Sequence, residues 1–303
     1  MVVAAQHPMP DAARTSPGTA AAPGPEGIDP AAILARAPAE NFRVASRLLP
    51  AAVRADLMHV YGFARLTDDL GDEWPGDRLA ALAWLDRELS GALRGSSTHP
   101  LLVDVAGTVR RRGLDPALLR DLIDANRQDQ IVSRYATVDD LVDYCSRSAN
   151  PVGRLVLGLF EVATPERVEW SDRICTGLQL AEHCQDVAED ARAGRIYLPR
   201  EDLEHFGVSE QELVIGPASD ARRALLAFEV ARARDWLWAG APLIGSLRGR
   251  VRIAVAGFVA GGMAALDAIG RAGFDVTDGP PRPRPSTVLH HLVRLAVSGG
   301  ERV

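Results

Sequence analysis

The sequence predicts an all-α protein, a single-domain bundle of helices around a central apolar cavity, and three observations predict it. Apolar residues recur at helical spacing almost throughout residues 41–275. No run of alternating β-branched residues interrupts them, and Ala, Leu, Arg and Glu, all good helix formers, dominate. Several stretches are apolar on every side, as in a helix deep in a core or along a cavity. At 303 residues with 47% hydrophobic side chains the chain can bury a sizeable core. No repeat of fixed period stands out, which disfavours a solenoid.

Taken in order, residues 1–40 are rich in Ala, Pro and Gly, lack an apolar run long enough for a signal peptide or a membrane span, and read as a disordered tail. Helices follow at about 51–73, 77–94, 99–112, 115–130, 137–147, 150–162, 166–192, 217–240 and 247–272. Asp115-Pro116, Thr137 and Thr164-Pro165 start helices, through an N-cap oxygen or a proline at the first helical position. Gly113 and Gly273 stop them. Residues 152–160 and 253–269 are the all-round apolar stretches, and Gly257, Gly261 and Gly262 allow close helix contact or leave room for a ligand. After a Pro-rich linker over 280–285, a short helix over 286–297 mixes Leu289, Leu292 and Leu295 with His290, His291 and Arg294. It suits packing on the body or lying on a lipid surface. The expected organisation is therefore a tail over 1–40, a catalytic domain over 41–278, and a linker with a C-terminal helix over 279–303.

A net charge of −6 gives no basic footprint for nucleic acid. Three cysteines, Cys145, Cys175 and Cys184, form an odd count without paired spacing, which speaks for a reducing cytoplasm rather than a disulfide framework. No zinc pattern appears, and no Gly-x-Gly-x-x-Gly follows a strand, so no nicotinamide site is expected.

Charge patterning carries the chemistry. Glu182, Asp186 and Asp190 fall four apart on one helix, where like charges repel by a few tenths of a kcal/mol per pair. A solvated acidic face is the plain explanation of such a stripe. A second cluster lies far upstream, with Asp68 over Asp72, Asp69 over Glu73, and Arg65 one turn before Asp68. Magnesium takes oxygen ligands and uses only one or two carboxylates together with substrate phosphates. Two acidic helices facing across a cleft thus read as a clamp for a diphosphate.

Ala45-Ser46-Arg47, Arg65 with Asp68-Asp69-x-x-Asp72, Tyr144-Cys145 through Val152-Gly153, Gln179 through Pro199, and Gly273-Phe274-Asp275-Val276 together resemble the squalene/phytoene synthase family. Its members are all-helical prenyltransferases of the isoprenoid synthase class I fold. Residues 41–46, Arg127-Gln128-Asp129, residues 148–154 and Gln185-Asp186 look most like its hydroxysqualene synthase branch, HpnC. That branch converts presqualene diphosphate and water into hydroxysqualene and diphosphate in hopanoid biosynthesis.

The resemblance implies roles position by position. Asp68, Asp69 and Asp72 match the first metal motif and Asp186 and Asp190 the second, with Glu182 as a further carboxylate. Three magnesium ions bound with the diphosphate are implied. Ser46, Arg47, Arg65, Gln179, Arg195 and Tyr197 match substrate-binding positions, and Tyr144 matches a tyrosine implicated in the cation steps. On the sequence alone Tyr144 is equally a core tyrosine with a bonded hydroxyl. Ser148 and Asn150 are candidates for holding the water, or for capping the next helix. Glu182 stands where most of the family has Asn, and Gln185 where relatives carry Arg.

Alternative substrates and roles stay open: head-to-head condensation of farnesyl diphosphate or another prenyl diphosphate, and a catalytically silent assembly factor. Expected partners are the enzymes that make presqualene diphosphate and reduce hydroxysqualene. The expected place is the cytoplasm, with peripheral contact to its membrane through the C-terminal helix.

Overall fold

A computed structural model describes residues 25–35 and 51–301, and it is helical as the spacing predicts. After a 3-10 turn at Pro25–Gly27, the helices are α1 (Pro30–Leu34), α2 (Ala51–Asp68), α3 (Arg78–Arg94), α4 (Pro100–Arg112), α5 (Ala117–Asp129), α6 (Val138–Ser148) and α7 (Asn150–Leu159). There follow α8 (Pro165–Arg192), α9 (Arg200–Phe206), α10 (Asp220–Gly240), α11 (Pro242–Ser246), α12 (Gly249–Arg271) and α13 (Pro285–Ser298). The extended pairing among the described residues is one isolated bridge, between Arg134 and Ile196.

Helix ends follow local chemistry. Thr137 accepts from the Asp140 amide while Asp140 reaches back to the Thr137 amide, a full capping box at the start of α6. Thr164 caps α8 through the Arg167 amide, and Gly113 ends α4 in the left-handed region at φ 61°. Between α2 and the next loop the chain winds as one π-helical turn, Asp69–Glu73. The first acidic motif therefore sits on a widened turn, a feature that recurs at functional sites.

Two apolar cores fill the bundle. One gathers Phe63, Leu66, Leu82, Leu85, Leu102 and Leu119 from α2 to α5. The other gathers Leu178, Leu237, Val259, Met263 and Leu266 from α8, α10 and α12. Helix α7 serves both, with Leu155 and Leu159 in the first and Leu157 in the second, which is why that stretch is apolar all round. Helix α12 is long and apolar enough to cross a membrane by composition, yet its middle is a core element, with Val259 and Met263 0% exposed. At Gly262 a Cβ would come within 2.5 Å of Leu178 Cδ2, so the glycine there serves close packing.

The structure departs from expectation in four places. Residues 25–35, assigned to the tail, include α1, whose Ile33 is buried in the first core; the rest of the expected tail lies outside the described residues. Helix α9 is too short and polar to show a period, and its Asp202 is fixed by Arg232 at 2.7 Å. The helix expected over 217–240 begins at Asp220 and is followed by a separate turn of helix, α11. Finally, the apolar stretches contribute to the cores, with Ile253 of α12 exposed, and the cavity described below is walled mainly by polar side chains.

Helix α13 packs on α12. His291 Nε2 lies 2.7 Å from Asp267 Oδ2, Arg252 donates to the Ala296 carbonyl at 2.7 Å, and Leu295 is buried. Its other face leaves Leu289, Val293 and Val297 exposed one turn apart, at 60%, 54% and 83%.

Candidate active site

A cavity of about 440 Å³ opens where α2, α5, α6 and α8 converge. From α2 and the π turn come Arg65, Asp68 and Asp72; from α5, Asn126 and Asp129; from α6, Tyr144 and Ser148. Helix α8 supplies Gln179, Glu182, His183, Asp186 and Asp190, and the segment after it supplies Arg195 and Tyr197. Residues more than a hundred positions apart thus meet on facing walls.

The first wall is pinned from behind. Arg65 pairs with Asp69 at 2.8 Å and Glu73 at 2.9 Å, so the guanidinium bridges successive turns. Asn126 donates to Asp68 at 3.3 Å. It can do so because residue 71 is glycine: a Cβ there would lie 2.1 Å from Asn126 Oδ1. Burial, and then the charge of Asp72, hold the Asp68 carboxyl well above its ordinary range. Asp69, expected among the metal ligands, is turned to Arg65 and does not line the cavity.

On the second wall Glu182, Asp186 and Asp190 form the stripe read from the sequence. Burial pushes Asp186 up to about 7 and Asp190 up to about 8, and the neighbouring carboxylates push further. Glu182 is raised by burial as well. Among the described residues no side chain hydrogen-bonds to or pairs with these three. The walls are joined by Arg195, whose Nη1 meets Asp72 Oδ1 at 2.8 Å.

Beneath them lies a carboxylate among aromatic rings. Tyr144 and Tyr197 donate to the two oxygens of Asp129 at 2.6 and 3.1 Å. Burial pushes Asp129 up to about 6 against those bonds. His183 stacks on Tyr197 with centroids 3.9 Å apart, and burial holds it down to about 3, so its ring is neutral. Tyr144, Tyr135 and Tyr197 lie with centroids 5.5 to 5.8 Å apart.

The site expected from sequence is therefore largely brought together, with exceptions. Ser46 and Arg47 lie outside the described residues. Asn150 is not on the cavity: it is buried at the start of α7 and accepts from Thr176 at 3.1 Å. Asn126, Asp129 and His183 were not assigned roles from sequence, because a lone amide, carboxylate or imidazole on a helix carries no signal until the partners are known. Gly71 was the one hint, a glycine inside a helical pattern.

The donor set fits a divalent cation held jointly with a phosphate. Among the described residues no three acidic or imidazole side chains converge closely enough to hold an ion unaided. Seven carboxylates, Asp68, Asp72, Asp129, Glu182, Asp186, Glu189 and Asp190, nevertheless line one cavity, and burial, then the neighbouring carboxylates, disfavours the charged forms of Asp186 and Asp190. Hard oxygen ligands supplied partly by protein and partly by phosphate and water complete such a site.

The squalene/phytoene synthase profile matches residues 35–290. The chain is 42% identical to the crystal structure of the squalene synthase HpnC from Alicyclobacillus acidocaldarius, with a TM-score of 0.75, covering 80% of this chain and 92% of that one. It is 35% identical over 214 residues to a 15-cis-phytoene synthase of Synechococcus elongatus, covering 65% of this chain and 69% of the relative. It is 34% identical over 215 residues to a hydroxysqualene synthase of Sinorhizobium fredii, covering 69% and 72%.

Proposed function

The chain belongs to the squalene/phytoene synthase family, and on that footing we propose that it ionises presqualene diphosphate and captures the resulting cation with water, releasing hydroxysqualene and diphosphate. The fold is that of the class I isoprenoid synthases, and the family acts on prenyl diphosphates. One observation carries the reading: Asp68 and Asp72 on one wall face Glu182, Asp186 and Asp190 on the other across a single cavity.

In this proposal those carboxylates hold magnesium, with Asp69 as an outer brace through Arg65. When bound, the metal offsets the negative charge that grows on the departing diphosphate. Arg195, on the cavity beside Asp72, would add a charge-assisted hydrogen bond to a phosphate oxygen. In this proposal the π-face of the buried Tyr144 would meet the cation while Asp129, on the same cavity, holds its hydroxyl. A π-face stabilises a nearby cation by about 0.5–2 kcal/mol. His183, kept neutral by burial, adds no repelling charge.

The phytoene synthase relative supports a second reading, condensation of two prenyl diphosphates head to head. Purified protein is incubated with magnesium and, separately, presqualene, farnesyl and geranylgeranyl diphosphate, and products are identified by mass spectrometry. Hydroxysqualene from presqualene diphosphate supports the first reading; turnover of only the shorter or longer allylic substrates overturns it.

Peripheral membrane contact is part of the same proposal. The exposed Leu289, Val293 and Val297 stripe, flanked by exposed Arg282 and Arg284, suits an anionic lipid surface.

A further inference from the structure

Among the described residues three arginines line the cavity, Arg65, Arg78 and Arg195. Two are already neutralised, Arg65 by Asp69 and Glu73, and Arg195 by Asp72. Arg78, the half-buried first residue of α3, is not. Its Nε donates to the Trp74 carbonyl at 3.3 Å, and Trp74 packs against the first core, so the side chain is tied to the body of the protein. The two terminal nitrogens take no partner among the described residues, and neither is shut away from solvent. The acids close by in the chain are committed elsewhere: Asp72 to Arg195, Glu73 to Arg65, and Asp77 to the Ala80 amide as the cap of α3.

We propose that Arg78 is a further binding residue for the diphosphate, receiving a phosphate oxygen on the edge formed by its two terminal nitrogens. The inference rests on the prenyl diphosphate reading above and holds for either of its two reactions. A guanidinium presents its donors in a rigid fork that matches phosphate oxygens. Arg65 and Arg195 can turn to an anion only by leaving a carboxylate without its partner, which is costly where water is scarce. Arg78 gives up nothing. Its charge also offsets part of the repulsion between an incoming diphosphate and the carboxylates of the same cavity. The phosphate is negative before and after the C–O bond breaks, so the contact acts on affinity more than on the chemical step.

The experiment titrates inorganic pyrophosphate with magnesium into the full chain by calorimetry. Arg78→Ala is expected to weaken binding at least about tenfold, the worth of a hydrogen bond to a charged group. Arg87→Ala, which alters an exposed arginine of the same helix that is not on the cavity, is expected to leave it unchanged. With prenyl diphosphate as substrate, Arg78→Ala should raise KM by a similar factor and leave kcat nearly as it was. The sequence contains no lysine, so Arg78→Lys introduces a side-chain amine that is unique in the chain. That variant should recover part of the affinity, since an ammonium supplies the charge without the planar fork. Magnesium pyrophosphate should protect the introduced amine from acetylation, read by peptide mass spectrometry. An affinity of Arg78→Ala equal to that of the wild type, or an amine acetylated equally fast with and without pyrophosphate, overturns this inference alone. A wild type that does not bind magnesium pyrophosphate overturns the diphosphate reading and the inference together.

Discussion

Tyr144 donates its hydroxyl to Asp129 Oδ2 at 2.6 Å, and both residues line the cavity. The two residues are fifteen positions apart on successive helices, and Tyr197 closes the arrangement on Oδ1. Replacing Asp129 by Asn keeps the volume but removes the acceptor for one tyrosine. It should lower kcat by about a hundredfold, the usual cost of a loosened reacting geometry, with little change in KM. Tyr144→Phe should retain more activity than Tyr144→Ala by about 2–30-fold, the factor that corresponds to a cation–π contact. Steady-state rates for the three variants decide it, and equal rates for Phe and Ala would remove the ring from the mechanism.

Asp186 separates a catalyst from a silent relative. Asp186→Ala should cost at least about a thousandfold in turnover because charge on the leaving diphosphate loses a fixed counterion. An assembly factor would show only a small change in stability. Chelation of the wild type with EDTA should abolish turnover and added magnesium should restore it.

The Glu182 side chain lines the cavity beside Asp186. If it is a ligand, Glu182→Asn should raise the magnesium concentration for half-maximal rate roughly tenfold, within the range for altered metal environments. A lowered requirement would show instead that its charge repels the diphosphate.

The raised carboxyls make the metal-free fold sensitive to alkali. Asp129, Asp186, Asp190 and Glu229 have folded values of about 6, 7, 8 and 8, all above their ordinary ranges through burial first. Groups raised on folding contribute stability that is complete below the unfolded value and is lost as pH climbs through the folded one. Asp275, held down to about 2, acts in the opposite sense but only in stronger acid. Metal-free protein should therefore have a higher Tm near about pH 5 than near about pH 8.5, by several degrees. The combined Glu182→Gln, Asp186→Asn and Asp190→Asn variant should flatten the slope, and magnesium with pyrophosphate should raise the Tm most at the alkaline end. Thermal scans across pH test both.

The exposed stripe of α13 predicts lipid contact. Replacing Leu289, Val293 and Val297 by Ser should abolish co-flotation with vesicles of anionic phospholipid while leaving Tm nearly unchanged, since exposed positions shift stability by only about 0.5 kcal/mol. Flotation of the variant equal to wild type would exclude this surface.

What the sequence determined was everything written in local periodicity and motif. Helix spans came within a few residues because apolar spacing and caps such as Thr137 and Thr164 are short-range chemistry. The acidic stripe of α8 was legible because three carboxylates four apart cannot escape sharing a face. Tertiary structure alone decided that Asp69 braces Arg65, that Asn150 is claimed by Thr176, and that the greasy helices fill cores and leave a mainly polar cavity. It also brought Asn126 to Asp68, Asp129 to two tyrosines, and Arg195 to Asp72, 123 positions away. A side chain's partner across the bundle depends on how whole helices pack, and no local pattern encodes that distance.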